Sequence, residues 1–222
     1  AKENKMFINE SKTKVMLFNS AKKIDILPKI ELTEGTPIEV VDEAKLLGLI
    51  IRSDLKWHSN TDNIIRKSYT RMWILRNLKR FGAEEQELVD TYIRQIRSIT
   101  EMACPAWNGG LTQQEQRGLE RIQRTALAII RGDKHTTYQE ALDHFGMDKL
   151  EVTREALCLK FALKAYRNPK FTKWFAPNTP EVNTRSILLP LKEIRFRTSR
   201  FNNSPISYLT RLLNNHLTKH VH

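Results

Sequence analysis

The spacing of apolar residues changes once along this chain, from short runs to a helical period. Up to residue 56 the runs are short. Val15-Met16-Leu17-Phe18 is closed by Asn19-Ser20. Lys29 to Thr33 and Pro37 to Val41 flank Glu34-Gly35, and the spacing predicts a hairpin there. Lys45 to Ile51 follows, with Leu46, Leu47, Leu49 and Ile50 apolar on both faces. That is the pattern of a strand covered from two sides. A sheet of three or four such strands makes a poor domain alone and is expected to need other material to pack against.

From Trp57 to about Arg167 the period is helical. Ser59 to Asp62 offer cap residues for a helix reaching Phe81, where Gly82 stops it. Glu84, Glu85 and Glu87 open the next, and Leu88, Tyr92, Ile96, Ile99 and Ala103 mark its apolar stripe. Pro105 and Asn108-Gly109-Gly110 break it. A third helix runs from about Thr112 to Arg131 and ends at Gly132. A short one spans Thr137 to Phe145, and a fifth spans about Lys149 to Tyr166. Residues 176–203, with Pro177, Pro180 and Pro190, read as loop or linker before a short helix from Ser204-Pro205 to about Asn214. The expected fold class is α+β and predominantly helical. Its segments are a β-rich 1–56, a helical bundle over 57–168, and a basic linker with a short helix over 169–222.

Charge adds direction to this picture. Lys and Arg number 37 against 25 for Asp and Glu, a net charge of +12, which favours polyanionic partners. The third helix concentrates the effect. Arg117, Arg121, Arg124 and Arg131 share one face within roughly 80°, opposite Leu119, Ile122, Ala126, Ile129 and Ile130. Rigid rows of guanidinium groups suit phosphate backbones, because each fork grips two oxygens. The helix from Asn60 to Phe81 is basic all round, with Arg66, Lys67 and Arg71 among its cations and Tyr69 and Trp73 interleaved. Trp57 and Trp73 are expected in the core. A third basic stretch, Arg195 to Phe201, mixes Arg with Phe in the tail.

Independent catalysis finds no support. Asp42-Glu43 and Glu84-Glu85 sit in a turn and at a helix start, and no Gly-rich phosphate loop or nucleophile–His–acid arrangement stands out. Cys104 and Cys158 lack metal-ligand spacing, and two reduced thiols suit an intracellular protein. No apolar run approaches the roughly 20 residues that span a bilayer.

The order of motifs resembles the C-terminal part of reverse transcriptases from non-LTR (LINE-type) retrotransposons. Asn9-Glu10-Ser11-Lys12-Thr13 and the run after it look like the Asn-x-x-Lys-Thr segment late in that family's palm. Lys45-Leu46-Leu47-Gly48-Leu49-Ile50-Ile51, with Leu55-Lys56-Trp57, is similar to its Leu-Gly segment. Tyr92 to Ser98, Pro105-Ala106-Trp107 and Leu119-Glu120-Arg121-Ile122-Gln123-Arg124 fall where the family has its thumb helices and beyond. The resemblance covers nearly the whole chain.

It implies a small antiparallel sheet from the end of the palm, followed by a thumb-like bundle. It places Lys12, Gly48 and Trp57 near the primer. The family's paired catalytic aspartates, which use Mg, come before Asn9, so no cofactor is expected within this stretch. The expected partners are RNA and DNA as template–primer, together with the upstream polymerase segment, in a nuclear or cytoplasmic ribonucleoprotein and away from membranes. The competing expectation is a decayed or repurposed helical protein-interaction module.

Overall fold

The computed structural model describes residues 9, 12–18, 30, 37–133, 137–178, 189–194 and 196–219. The fold is α+β and predominantly helical. The chain divides into two compact units, residues 1–60 and 61–222.

In the first unit, β1 (Lys14–Val15) pairs with β2 (Glu39–Val40) in parallel, and the expected small antiparallel sheet is formed further along the chain. The proposed Glu34-Gly35 hairpin lies outside the described residues. The apolar run 45–51 is not one strand covered on both sides. It folds back on itself as β3 (Glu43–Leu46) and β4 (Leu49–Arg52), an antiparallel pair in register Leu46 to Leu49. Leu47 and Gly48 form the two-residue turn with φ of +48° and +92°. Positive φ at both central positions gives the turn whose twist matches a hairpin, and Gly48 supplies one of them at no steric cost. The Ile50 N–H donates to Asn60 Oδ1 at 3.1 Å, which ties the hairpin to the buried Asn60.

Most of α1 (His58–Arg80) belongs to the second unit and ends before Gly82 at φ +84°. It buries Thr61, Ile64, Ser68, Met72 and Leu75, at steps of three and four. α2 (Glu85–Tyr92) starts at a capping box between Glu84 and Glu87. It continues through a π-helical turn, Ile93–Arg97, into α3 (Ser98–Glu101). Leu88, Tyr92, Ile96 and Thr100 are all buried, one every four residues. A stripe of that period drifts around a 3.6-residue helix, and the wider π turn brings it back to the core. Thr100 therefore takes the inward position expected for Ile99, and Ala103 is exposed with φ +50°.

α4 (Gln113–Arg131) has a Thr112–Glu115 capping box and stops at Gly132, φ +73°. α5 (Tyr138–Phe145) repeats the device with Thr137 and Glu140. The Glu140 carboxyl is held below the usual range by the Thr137 backbone and side chain. α6 (Leu150–Tyr166) buries Leu150, Arg154, Cys158, Ala162 and Ala165. Two short 3-10 turns, Cys104–Ala106 and Asn108–Gly110, carry the chain past α6 toward α4.

The tail departs from the expected linker. After α7 (Ser199–Asn202), α8 (Pro205–Lys219) packs on α6 and runs five residues beyond the expected end at Asn214. Leu209, Leu212 and Leu213 enter the core. Asn214 pairs with both the N–H and the C=O of Leu191, at 2.9 and 3.1 Å, and Leu191 is itself buried. A side-chain amide there satisfies backbone groups as a neighbouring strand would.

Candidate nucleic-acid interface

The interface builds from one helix outward. Leu119, Ile122, Gln123, Ala126, Leu127 and Ile130 turn α4 inward, so Arg117, Arg121 and Arg124 are left on the solvent side. Gln123 and Leu127 take the buried places where the sequence reading put Ile129. The three exposed guanidinium groups neither donate hydrogen bonds nor form ion pairs among the described residues. Arg124 lies over the Tyr138 ring at 5.0 Å, which holds its plane against α5. Arg131, the last residue of α4, is half-buried and acts electrostatically on Glu140.

Within α4 the acid at helical spacing from the row, Glu120, faces elsewhere. Glu120 is half-buried. Its Oε1 accepts from the Tyr138 hydroxyl and from the Leu150 N–H at 3.2 Å. Its Oε2 accepts from the Glu151 N–H at 3.4 Å. The carboxylate thus caps the first turn of α6, where Lys149 offers no side-chain cap. Burial first, then Glu120, pushes the Tyr138 hydroxyl well above its usual range.

Gln123 is the buried polar hub behind the row. Its Oε1 accepts from the Tyr92 hydroxyl at 2.7 Å. Its Nε2 donates to Asp148 O at 2.8 Å and to Tyr138 Oη at 3.1 Å. One amide therefore ties α2, α5 and the entry to α6 onto α4. The run Leu119 to Arg124 thus alternates core, cap and solvent duties residue by residue. Sequence reading found the outward Arg residues and missed the inward Glu120 and Gln123. A glutamine inside an apolar stripe was the available signal.

The other predicted site residues divide by what they touch. Arg71 donates to Gln95, at 2.7 Å to Oε1 and 3.4 Å to O, and so braces the π turn. Arg66 is exposed and reaches Asn63 Oδ1 at 3.2 Å, while Lys67 is half-buried. Arg66, Lys67 and Arg71 do not converge on one face. Lys79 donates to Ile130 O at 2.5 Å and caps the C-terminal end of α4, where a cation meets free carbonyls. Arg52 is occupied by Glu43 and Asp54, each at 3.2 Å.

Lys12, Gly48 and Trp57 all lie in the first unit. The Lys12 N–H bonds Asn9, Gly48 sits at the hairpin turn, and Trp57 is half-buried just before α1. No hydrogen bond among the described residues joins the three. Trp73 corrects the core expectation, because it is 67% exposed. In the tail basic stretch Arg195 lies outside the described residues, and Phe196 and Phe201 are exposed.

Among the described residues no three His, Cys, Asp or Glu side chains come together as a metal site. No helix there is long and apolar enough to cross a membrane. Compared with protein-family models, curated proteins and solved structures, the chain gives no significant match.

Proposed function

We propose that this chain grips a nucleic-acid template–primer, as the C-terminal part of a non-LTR reverse transcriptase, from the end of the palm through the thumb and the helices after it. Its work is binding rather than bond-making. The Mg-dependent step of such a polymerase belongs to aspartates ahead of Asn9 in the motif order. The protein would then reside with its RNA in a nuclear or cytoplasmic ribonucleoprotein.

One observation carries the reading. Arg117, Arg121 and Arg124 stand exposed along one helix face, free of carboxylate partners among the described residues. Glu120, which lies between them on α4, is turned to the start of α6. A net charge of +12 points the same way. Three uncompensated guanidinium groups at steps of four and three repel one another, and phosphates relieve that repulsion.

The test is a salt titration of binding. Wild type should bind an RNA–DNA hybrid at least as well as duplex DNA of equal length. Arg117→Glu, Arg121→Glu and Arg124→Glu should each flatten the slope of log affinity against log salt by about one unit per lost phosphate contact. An unchanged slope rules the row out. A helical protein-interaction module is favoured by one feature, the apolar hairpin tip, where Leu47 is 94% exposed. Equal, weak binding to every polyanion would select that reading.

A further inference from the structure

The solvent side of α1 carries a second charged surface, different in kind from the α4 row. Arg66, Tyr69, Trp73, Arg76 and Arg80 follow one another at steps of three and four, so they form one line along the helix. Trp73 stands at the middle of that line, and its neighbours two turns away on either side are Arg66 and Arg80, each about 10 Å along the axis. Arg66, Trp73, Arg76 and Arg80 are exposed, and Tyr69 is half-buried. Asp62 is the one acid within α1 itself. The buried residues Ile64, Ser68, Met72 and Leu75 lie on the other side of the helix, and Trp73 is 67% exposed, outside the buried core.

Folding gives no reason for a bare indole there, since exposing so large an apolar surface is unfavourable. A ligand that offers both negative charge and a flat π face accounts for the whole line. Duplex nucleic acid offers the charge, but its bases are stacked on each other and their faces are closed. An acidic peptide offers charge without the flat face. Unpaired nucleotides offer both, with the backbone neutralised by Arg and a base laid on the aromatic ring.

We infer that the outer face of α1 binds single-stranded nucleic acid, with an unpaired base stacked on Trp73 and the flanking phosphates held by Arg66, Arg76 and Arg80. The inference shares with the proposed function only the premise that the chain contacts nucleic acid, and it uses a different helix. A strand leaving a duplex held on α4 would be a suitable occupant.

The experiment uses the full chain and an oligothymidylate of about 15 nucleotides, within the span of a single-strand binding module. Binding should quench tryptophan emission in wild type. Trp73→Ala should weaken binding roughly tenfold and remove most of the quench, as loss of one stacked base does. The same variant should bind a blunt RNA–DNA hybrid as wild type does. Arg76→Ala and Arg80→Ala should each reduce the salt slope for the oligothymidylate by about 0.7, the single-strand value.

Equal affinity of wild type and Trp73→Ala for the oligothymidylate would overturn the inference, as would no binding by wild type or tighter binding of an acidic peptide. The two readings fail separately. Loss of hybrid binding in the α4 charge reversals with no effect of Trp73→Ala leaves the proposed function standing alone. The reverse pattern leaves only this surface.

Discussion

Arg154 is a cation held in the middle of the helical unit, fully buried. Its Nε donates to Asn108 Oδ1 at 2.9 Å, and its guanidinium faces the Trp107 ring at 5.9 Å. Neither Nη has a hydrogen-bond partner among the described residues. Burial lowers its pKa, against a smaller opposing effect of Glu120. Beside it the Cys104 and Cys158 sulfurs are 3.9 Å apart, with Cys158 donating. That bond and burial hold the Cys158 thiol well above its usual range. An unpaired buried charge costs more than a matching apolar side chain. Arg154→Met should therefore change unfolding free energy by less than about 1 kcal/mol, or raise it. Arg154→Ala should lower it by about 2–4 kcal/mol more than Arg154→Met does, because both lose the bond to Asn108 and only alanine leaves a cavity. Urea unfolding of the two variants checks this, and equal losses would show the charge itself to be stabilising. In the sequence Arg154 is one more basic residue. Only its place on the buried line of α6, four residues from Cys158, sets it apart.

At the scale of elements the hairpin and the helix caps behave differently under sequence reading. The caps are local. Thr112 with Glu115, Thr137 with Glu140, and the glycines at 82, 132 and 146 stand within four residues of the backbone groups they serve, so they are legible in one dimension. The run 45–51 was ambiguous, because a continuous apolar stretch suits a strand buried on both faces as well as a tight hairpin. Leu47 hides the turn. A leucine at φ +48° is strained, whereas asparagine tolerates that region and asparagine–glycine is the favoured pair for this turn. Leu47→Asn should therefore stabilise the hairpin by about 0.5–1 kcal/mol. Denaturant unfolding followed at residues of the first unit measures it. Destabilisation would mean that the leucine side chain makes contacts worth more than the strain. The π turn belongs here too. Its four-residue stripe is visible in Leu88, Tyr92 and Ile96, but assigning Thr100 over Ile99 required the wider turn.

For the molecule as a whole, the least legible feature is that the tail closes the second unit. α8 meets the Asn108–Gly110 turn, where Asn108 Nδ2 donates to Tyr208 Oη at 3.0 Å. Burial raises the Tyr208 hydroxyl to about 12. A Cβ on Gly109 would stand 2.5 Å from Tyr208 Cγ, so no side chain fits without moving the ring. Gly109→Ala should lower the stability of the second unit by about 1–3 kcal/mol through overpacking, read as a drop in its melting temperature. Pairing it with Tyr208→Ala should recover part of the loss, since removing the ring clears the space. Additive losses from the two changes would place the clash elsewhere.

The sequence by itself determined the extents of α4, α5 and α6, the caps of α4 and α5, the glycine stops, the excess of positive charge and the outward Arg face of α4. Each depends on residues within a few positions of one another. By contrast, α1 begins at His58, ahead of the expected cap residues Ser59 to Asp62. Tertiary structure alone decided that Asn108-Gly109-Gly110 is a docking seat as well as a helix break, that the tail helix belongs to the bundle, and that Glu120 and Gln123 serve partners 15 to 31 residues away. It also decided that Trp73 faces solvent. Periodicity places that residue on a line with Arg66 and Arg80, but which line a helix buries is set by the neighbours it packs against. On a helix with cations on every side, hydrophobicity could not choose between them.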